Sequence, residues 1–460
     1  MSINPDIFRT YDIRGIWRKD LTIEIGENLG KAVGTFFDKY QVKKVVVGRD
    51  NRLGGKDLMK SFIKGLRSTG RNVVDVGVVI TPMIYFSWHH LNAKGTVMIT
   101  ASHNPPEYNG LKISLKKHPI YGEKYQEIRK IAEASKFSSG KGSYKKYNLR
   151  QFYLNGIIKN INLKRKLKVV VDCGNGTASL FASELFKKLS RESFLLFCKS
   201  DGSFPNHLPY PQKTELYTKL IKTIKEEKAD LGFAFDGDGD RLGVYDEKGQ
   251  FIENDFLLMI LARDICRKYP GRKVIGNIST SLAVLEDIKN HGGIPMLWKT
   301  GYPFITSKMK KEKAIFGGEI SGHFFFVDRY YGFDDALYAA ARVLETVSQS
   351  KKPVSRLLTG VPAYFGTPEF RVEAKDKFDT IKKIVKEIKK EHPEAEILNI
   401  DGVRFSFKDC WGLIRASNTE PLLTGRAEAK TKERLEEIKN LIQSKLAKHG
   451  VKLDWKHPLK

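Results

Sequence analysis

Short apolar runs, several of them rich in β-branched residues, recur along this chain, and most end in a loop punctuated by glycine, proline or aspartate. Residues 44–47, 73–79, 95–99, 168–172, 230–235, 274–278 and 296–299 read as buried strands. Helical stretches lie between them at 55–67, from 178 onward and at 281–289. Strand, helix and strand in succession predict parallel sheets covered by helices. Such sheets bind ligands beyond the carboxyl ends of their strands, so the loops there are where chemistry is expected.

The first such loop follows residues 95–99 and reads Thr100-Ala101-Ser102-His103-Asn104-Pro105-Pro106-Glu107-Tyr108-Asn109-Gly110. The prolines forbid a helix and stiffen the loop, and Asn109-Gly110 adds a turn. Ser102 is expected on a rigid, exposed shelf. The second loop follows 230–235 and reads Asp236-Gly237-Asp238-Gly239-Asp240-Arg241. The glycines permit a curl that brings three carboxylates together, and these repel unless a cation lies between them. Oxygen-only ligands point to Mg²⁺ or Ca²⁺. An EF-hand is excluded because Arg241 stands where its obligatory glycine would be and because the loop follows a strand. Gly174-Asn175-Gly176 lacks the third glycine of a dinucleotide fingerprint.

Two further loops carry sugar and phosphate chemistry. Gly317-Gly318-Glu319-Ile320-Ser321-Gly322-His323 offers a carboxylate, a hydroxyl and an imidazole between glycines, which suits vicinal hydroxyls. Arg415-Ala416-Ser417-Asn418-Thr419-Glu420-Pro421 places an arginine beside hydroxyl and amide donors, the set a phosphate dianion needs. Residues 138–143, rich in serine and glycine, read as a linker. From about 361 the character changes to strands paired with two charged helices, an α+β domain.

At 460 residues the chain has room for about three to four domains. No apolar run is long enough for a membrane span, and residues 1–9 carry no secretory signal, so cytoplasm is expected. The four cysteines, Cys173, Cys198, Cys266 and Cys410, are widely spaced and read as buried or incidental thiols in a reducing compartment. The net charge of +27 attracts polyanions, but the lysines are spread over amphipathic helices. No specific nucleic-acid module is visible.

Ala101 to Pro106 with Tyr108 to Lys112 resembles the phosphoserine loop of the α-D-phosphohexomutases. Asp236 to Arg241, Gly318 to His323, Arg415 to Pro421 and the opening Tyr11-Asp12-Ile13-Arg14-Gly15 resemble the metal, sugar, phosphate and N-terminal motifs of that family, in family order. The resemblance implies three similar α/β domains with mixed, mainly parallel sheets plus a C-terminal α+β (TATA-box-binding-protein-like) domain around a central cleft. The boundaries are expected at 1–146, 147–253, 254–360 and 361–460.

The resemblance implies that Ser102 carries a phosphoryl group and that Asp236, Asp238 and Asp240, with an oxygen on Ser102, hold Mg²⁺. Arg241 faces the phosphoserine. Arg14, Lys112 and His323 are candidates for moving or stabilising protons. Tyr11, His103, Lys299, Tyr302, Glu319, Ser321, Arg415, Ser417, Asn418 and Thr419 bind the phosphosugar. Tyr302 departs from the histidine usual there in the phosphomannomutase/phosphoglucomutase type, whereas apolar Ile320 leans toward that type. The implied reaction interconverts hexose 1-phosphate and hexose 6-phosphate of mannose or glucose through a hexose 1,6-bisphosphate. Phosphoglucosamine mutase is the alternative within the family. A phosphomonoester hydrolase and a basic nucleic-acid-binding protein are the alternatives outside it. The oligomeric state stays open.

Overall fold

The structure, a computed structural model, describes residues 3–361, 363–374, 376–417 and 422–455. It forms two compact units, Met1–Asp264 with Ser321–Leu357, and Ile265–Ile320 with Leu358–Lys460.

The first unit holds two sheets. One runs in the order Ile13–Ile16, Tyr108–Leu115, Gly95–Ile99, Lys44–Arg49, Asn72–Val78, Tyr144–Lys146. The last four strands of that order are parallel, and the first two alternate in direction. Helices Ile23–Lys39 and Gly55–Ser68 cover it. Thr22 caps the first of these by accepting from the Ile25 amide at 3.3 Å. Leu29, Val33, Phe36 and Phe37 on that helix and Leu58, Phe62 and Leu66 on the other recur at helical spacing and are fully buried. The second sheet has the order Phe251–Ile252, Leu242–Tyr245, Leu231–Phe235, Lys168–Asp172, Glu192–Leu196, the last three parallel. Both sheets thus put their central parallel strands' carboxyl ends under the loops carrying Ser102 and the three aspartates.

The stretch read as a linker is pinned to the first sheet. Thr69 bridges Gly140, the Gly142 amide donates to Arg67 at 2.9 Å, and Tyr144–Lys146 becomes the edge strand.

In the second unit, Ile294–Trp298, Lys273–Asn277 and Phe316–Gly318 lie side by side and parallel. A separate antiparallel sheet has the order Phe365–Gly366, Leu422–Ala429, Cys410–Ala416, Val403–Ser406, Glu396–Leu398, with Phe370–Glu373 also on Leu422–Ala429. Helices Lys377–Glu391 and Lys432–Lys448 pack on it through Ile384, Ile388 and Ile442. Buried Arg404 stacks on Trp411 at 3.8 Å and donates to the carbonyls of Ile278 and Thr280, so its charge is solvated by protein.

Candidate active site

Ser102 sits just past strand Gly95–Ile99 with φ +52°, a left-handed conformation that its loop must hold in place. Its amide donates to the Thr100 hydroxyl at 2.9 Å. Arg52 holds the rest. This fully buried guanidinium donates to the carbonyls of Ser102, Asn104, Pro105 and Tyr108 at 2.5–3.2 Å and pairs with Asp50. Ser102 is buried rather than displayed on an open shelf, and its Oγ donates to Asp236 Oδ2 at 2.8 Å. His103 Nδ1 lies 3.3 Å from the same Oγ. Burial, then Arg241 and Arg14, push the His103 imidazole well below its usual range, so it is neutral at pH 7.

Asp236, Asp238 and Asp240 are fully buried, and one oxygen of each falls within a 4.8 Å cluster. Lys112 on strand Tyr108–Leu115 reaches Asp238 at 2.8 Å and Asp240 at 2.5 Å, and Thr81 donates to Asp238 at 2.5 Å. Burial opposes the Asp238 charge, but Lys112 and Thr81 outweigh it and hold the carboxyl below its ordinary range. Asp236 goes the other way: burial and the charges of Asp240 and Asp238 push it well up. Lys112 itself is held above its ordinary value, since the two aspartates more than offset burial. Asp238 Oδ1 and Asp240 Oδ1 remain buried without a hydrogen-bond partner. Buried orphan carboxylate oxygens within a cluster of three aspartates are what a hard cation satisfies, so the donor set fits Mg²⁺.

Next to the aspartates, His323 Nδ1 lies 2.9 Å from Asp334, and its Nε2 accepts from Arg241 Nε at 3.2 Å. The imidazole thereby orients the Arg241 guanidinium. Arg14 Nη1 donates to Asn104 at 2.6 Å, and its Nη2 pairs with Asp12. Tyr11 is half-buried and lies near Arg241. The carbonyl of Ser321 accepts from Gln212 Nε2 at 2.6 Å. The first unit therefore brings Ser102, His103, Lys112, the three aspartates, Arg241 and His323 into one linked network, with Arg14 joined through Asn104. Thr81, Asp334 and Asp12 were not singled out from sequence. Thr81-Pro82 after a strand was the one available signal, a helix start aimed at the loops.

In the second unit, buried Glu319 accepts from the Gly301 amide at 2.6 Å, directly before buried Tyr302 opens helix Tyr302–Glu312. Lys299 lies 5.9 Å from the Phe304 ring. Asp401 joins this loop to Arg415. Its Oδ2 accepts from the Thr300 amide at 3.1 Å and pairs with Arg415 Nη2 at 3.2 Å. Ser417 follows strand Cys410–Ala416, and its carbonyl accepts from Lys377 at 2.7 Å. Asn418 and Thr419 lie outside the described residues.

Four family profiles match in order: phosphoglucomutase/phosphomannomutase α/β/α domain I over residues 5–139, domain II over 151–249, domain III over 253–365 and the C-terminal domain over 369–444. The phosphomannomutase/phosphoglucomutase of Pseudomonas aeruginosa is 41% identical over 447 residues, 97% of this chain and 96% of that one. The phosphoglucomutase of Neisseria gonorrhoeae is 41% identical over 444 residues, covering 95% and 96%. Among solved structures, a phosphoglucomutase/phosphomannomutase family protein from Burkholderia thailandensis superposes with a TM-score of 0.93 at 38% identity, covering 98% of each chain. Among the described residues no helix is long and apolar enough to cross a membrane.

Proposed function

This chain belongs to the phosphoglucomutase/phosphomannomutase family and is a hexose-phosphate mutase, and we propose that it moves phosphate between C1 and C6 of mannose and glucose by way of a phosphorylated Ser102. The observation that carries this reading is the 2.8 Å contact from Ser102 Oγ to Asp236, inside a cluster of three buried carboxylates. Asp236, Asp238 and Asp240, with an oxygen on Ser102, would hold Mg²⁺. When bound, Mg²⁺ supplies positive charge beside the phosphoryl group in transfer.

The protein's own groups do the rest. Arg52 fixes the Ser102 peptide, so the hydroxyl is positioned before substrate arrives. The C6 hydroxyl of hexose 1-phosphate takes the phosphoryl group from Ser102, and its proton ends on the serine oxygen. The resulting hexose 1,6-bisphosphate turns round. Ser102 Oγ then takes the C1 phosphoryl group, the Ser102 proton ends on the C1 oxygen, and hexose 6-phosphate leaves. The Ser102 proton has two acceptors in reach, Asp236 Oδ2 and His103 Nδ1. Lys112, kept charged by its two aspartates, compensates negative charge rather than abstracting a proton. Arg241, held by His323, and Arg14, held by Asn104, supply fixed positive charge to the phosphoryl oxygens.

In the second unit, Arg415 with Ser417, Asn418 and Thr419 grips the phosphate already on the sugar. Glu319 and Ser321 read hydroxyls, and Lys299 and Tyr302 contribute further contacts. A clamp for a second phosphate favours a mutase over a hydrolase.

The test is ³¹P NMR of the protein with Mg²⁺ and a trace of glucose 1,6-bisphosphate as activator. Mannose 1-phosphate, glucose 1-phosphate and glucosamine 1-phosphate go in separate tubes. A growing 6-phosphate resonance with the first two is expected. Turnover of glucosamine 1-phosphate alone would move the substrate to an amino sugar, and release of inorganic phosphate would replace the mutase reading with a hydrolase.

A further inference from the structure

Two of the four cysteines meet. Cys173 follows strand Lys168–Asp172, and Cys198 lies two residues beyond its parallel neighbour Glu192–Leu196. Their Sγ atoms are 2.8 Å apart. The backbone enforces this approach: the Cys173 amide donates to Leu196 at 3.1 Å and the Asn175 amide to Phe197 at 2.8 Å. A disulfide needs the sulfurs at about 2.05 Å, so closure asks for a movement of less than about 1 Å. Cys173 is fully buried, and burial with Cys198 beside it pushes its thiol up. Cys198 is half-buried, so an oxidant from solvent meets it first.

We propose that Cys173 and Cys198 form a peroxide-oxidisable dithiol that closes reversibly into an intrachain disulfide and slows the enzyme. The Cys198 thiolate attacks hydrogen peroxide, an S–O bond forms, the O–O bond breaks, and one oxygen leaves as water. The Cys173 sulfur then attacks the sulfenic sulfur, an S–S bond forms, the S–O bond breaks, and a second water leaves. Two thiols and one peroxide give one disulfide and two waters, and the two electrons lost by sulfur reduce the peroxide. Disulfides in reducing compartments are characteristically transient and regulatory, which matches a pair built from one buried and one reachable thiol.

The pair is linked to the catalytic loops through the turn that starts at Cys173. The Gly176 amide donates to Cys173 at 2.7 Å, and the Thr177 amide donates to Gly237, within the aspartate loop, at 2.9 Å. Asn51 donates from its side chain to Asn175 at 2.7 Å and from its backbone to the Thr177 hydroxyl at 3.0 Å. Asn51 directly precedes Arg52, which holds the Ser102 loop. A pull on Cys173 therefore displaces both catalytic loops, where misplacement of a fraction of an ångström is felt in rate.

The test uses the reduced full-length protein, treated with hydrogen peroxide, quenched, alkylated in denaturant and digested without reductant. Mass spectrometry is expected to find one cross-linked pair of peptides holding Cys173 and Cys198, lighter by two hydrogens, with alkylatable thiols falling from four to two. Mutase turnover falls several-fold and returns with dithiothreitol. Cys198→Ser and Cys198→Ala each keep the reduced enzyme's turnover and lose the peroxide response. Four persisting thiols, or Cys198 oxidised to the sulfinic acid without a cross-link, would overturn the proposal. A cross-link with unchanged turnover would overturn the linkage to the catalytic loops. The peptide readout does not depend on activity, so it stands apart from the mutase assay.

Discussion

A Cβ atom placed on Gly237 would lie 2.4 Å from the carbonyl oxygen of Ser102. The aspartate loop and the serine loop therefore meet backbone to backbone, and only a residue without a side chain allows the Ser102–Asp236 hydrogen bond. Gly237→Ala must push one loop off the other. A displacement on the order of 1 Å at a reacting group costs about a hundredfold in rate. Turnover is expected to fall by that order while far-UV circular dichroism stays native. A variant with wild-type turnover would mean the two loops need no such approach.

Arg52 is the second support of the serine loop. It is fully buried, and its hydrogen bonds to four carbonyls leave no role for a smaller cation. A lysine has three donors on one point and cannot span the set. Arg52→Lys is expected to lower stability by about 3–5 kcal/mol, because buried carbonyls left unsatisfied cost about 1–3 kcal/mol each. Urea denaturation reads the change, and turnover falls in parallel because the loop loosens.

The three aspartates predict a metal-linked stability. Without a cation Asp236 is disfavoured as a carboxylate, pushed up by burial and by Asp240 and Asp238. A cation that binds only the folded state raises the melting temperature. Mg²⁺ is expected to raise it for the wild type and chelation to reverse the gain. Asp236→Asn removes both that increment and turnover, and the metal-free variant melts no lower than metal-free wild type. A Mg²⁺ increment that survives in Asp236→Asn would place the cation elsewhere.

Much of this site was legible in the sequence because its chemistry is local. Ser102 with its prolines, and the three aspartates with their glycines, are contiguous, and each follows a short apolar strand, Gly95–Ile99 and Leu231–Phe235. Strands Gly95–Ile99 and Lys168–Asp172 and helix Gly55–Ser68 lie where the residues predict. Helix Ile23–Lys39 was not legible, since its three glycines at 26, 30 and 34 argue against a helix until the close packing against Gly55–Ser68 is known. Strand Leu422–Ala429 was hidden by its alternating charges. Thr81, Asp334 and Asp401 could not be found because each works through a partner between 11 and 157 residues away, as Thr81 does with Asp238 and Asp334 with His323. The Cys173–Cys198 contact was concealed in the same way, by a register between two strands.

Asp335 gives the pH dependence of stability. It caps helix Ala336–Gln349 through the Tyr338 amide at 2.9 Å and accepts from the hydroxyls of Tyr153 and Tyr330, both at 2.9 Å. Burial nevertheless dominates and pushes its carboxyl from 3.8 up to about 7. The folded state thus binds this proton more tightly than the unfolded chain. The contribution is full below about pH 4 and is lost as pH rises through about 7. Asp335→Asn keeps the amide and hydroxyl contacts without the titration. Unfolding free energy measured in urea from pH 4 to 8 is expected to decline less steeply in the variant, by an amount on the order of 1–4 kcal/mol over the window. Parallel curves for the two proteins would assign the slope to other groups.

Asp401 separates binding from chemistry. Its Oδ2 holds both the Thr300 amide and Arg415 Nη2. If Arg415 grips the phosphate already on the sugar, that grip acts in the ground state and in the transition state alike. Loss of uniform binding raises KM and leaves kcat nearly unchanged. Asp401→Asn retains an acceptor for the Thr300 amide but removes the charge that aims the guanidinium, worth about 1–2 kcal/mol for a largely buried charged hydrogen bond. KM for the hexose 1-phosphate is therefore expected to rise about 5- to 30-fold with kcat within about twofold of wild type. Arg415→Lys should show the same split more strongly, because a point charge cannot replace the planar fork. An equal fall in kcat and kcat/KM in both variants would instead place Arg415 at the transferring phosphoryl group, and the phosphate grip would have to be sought among other residues of the second unit.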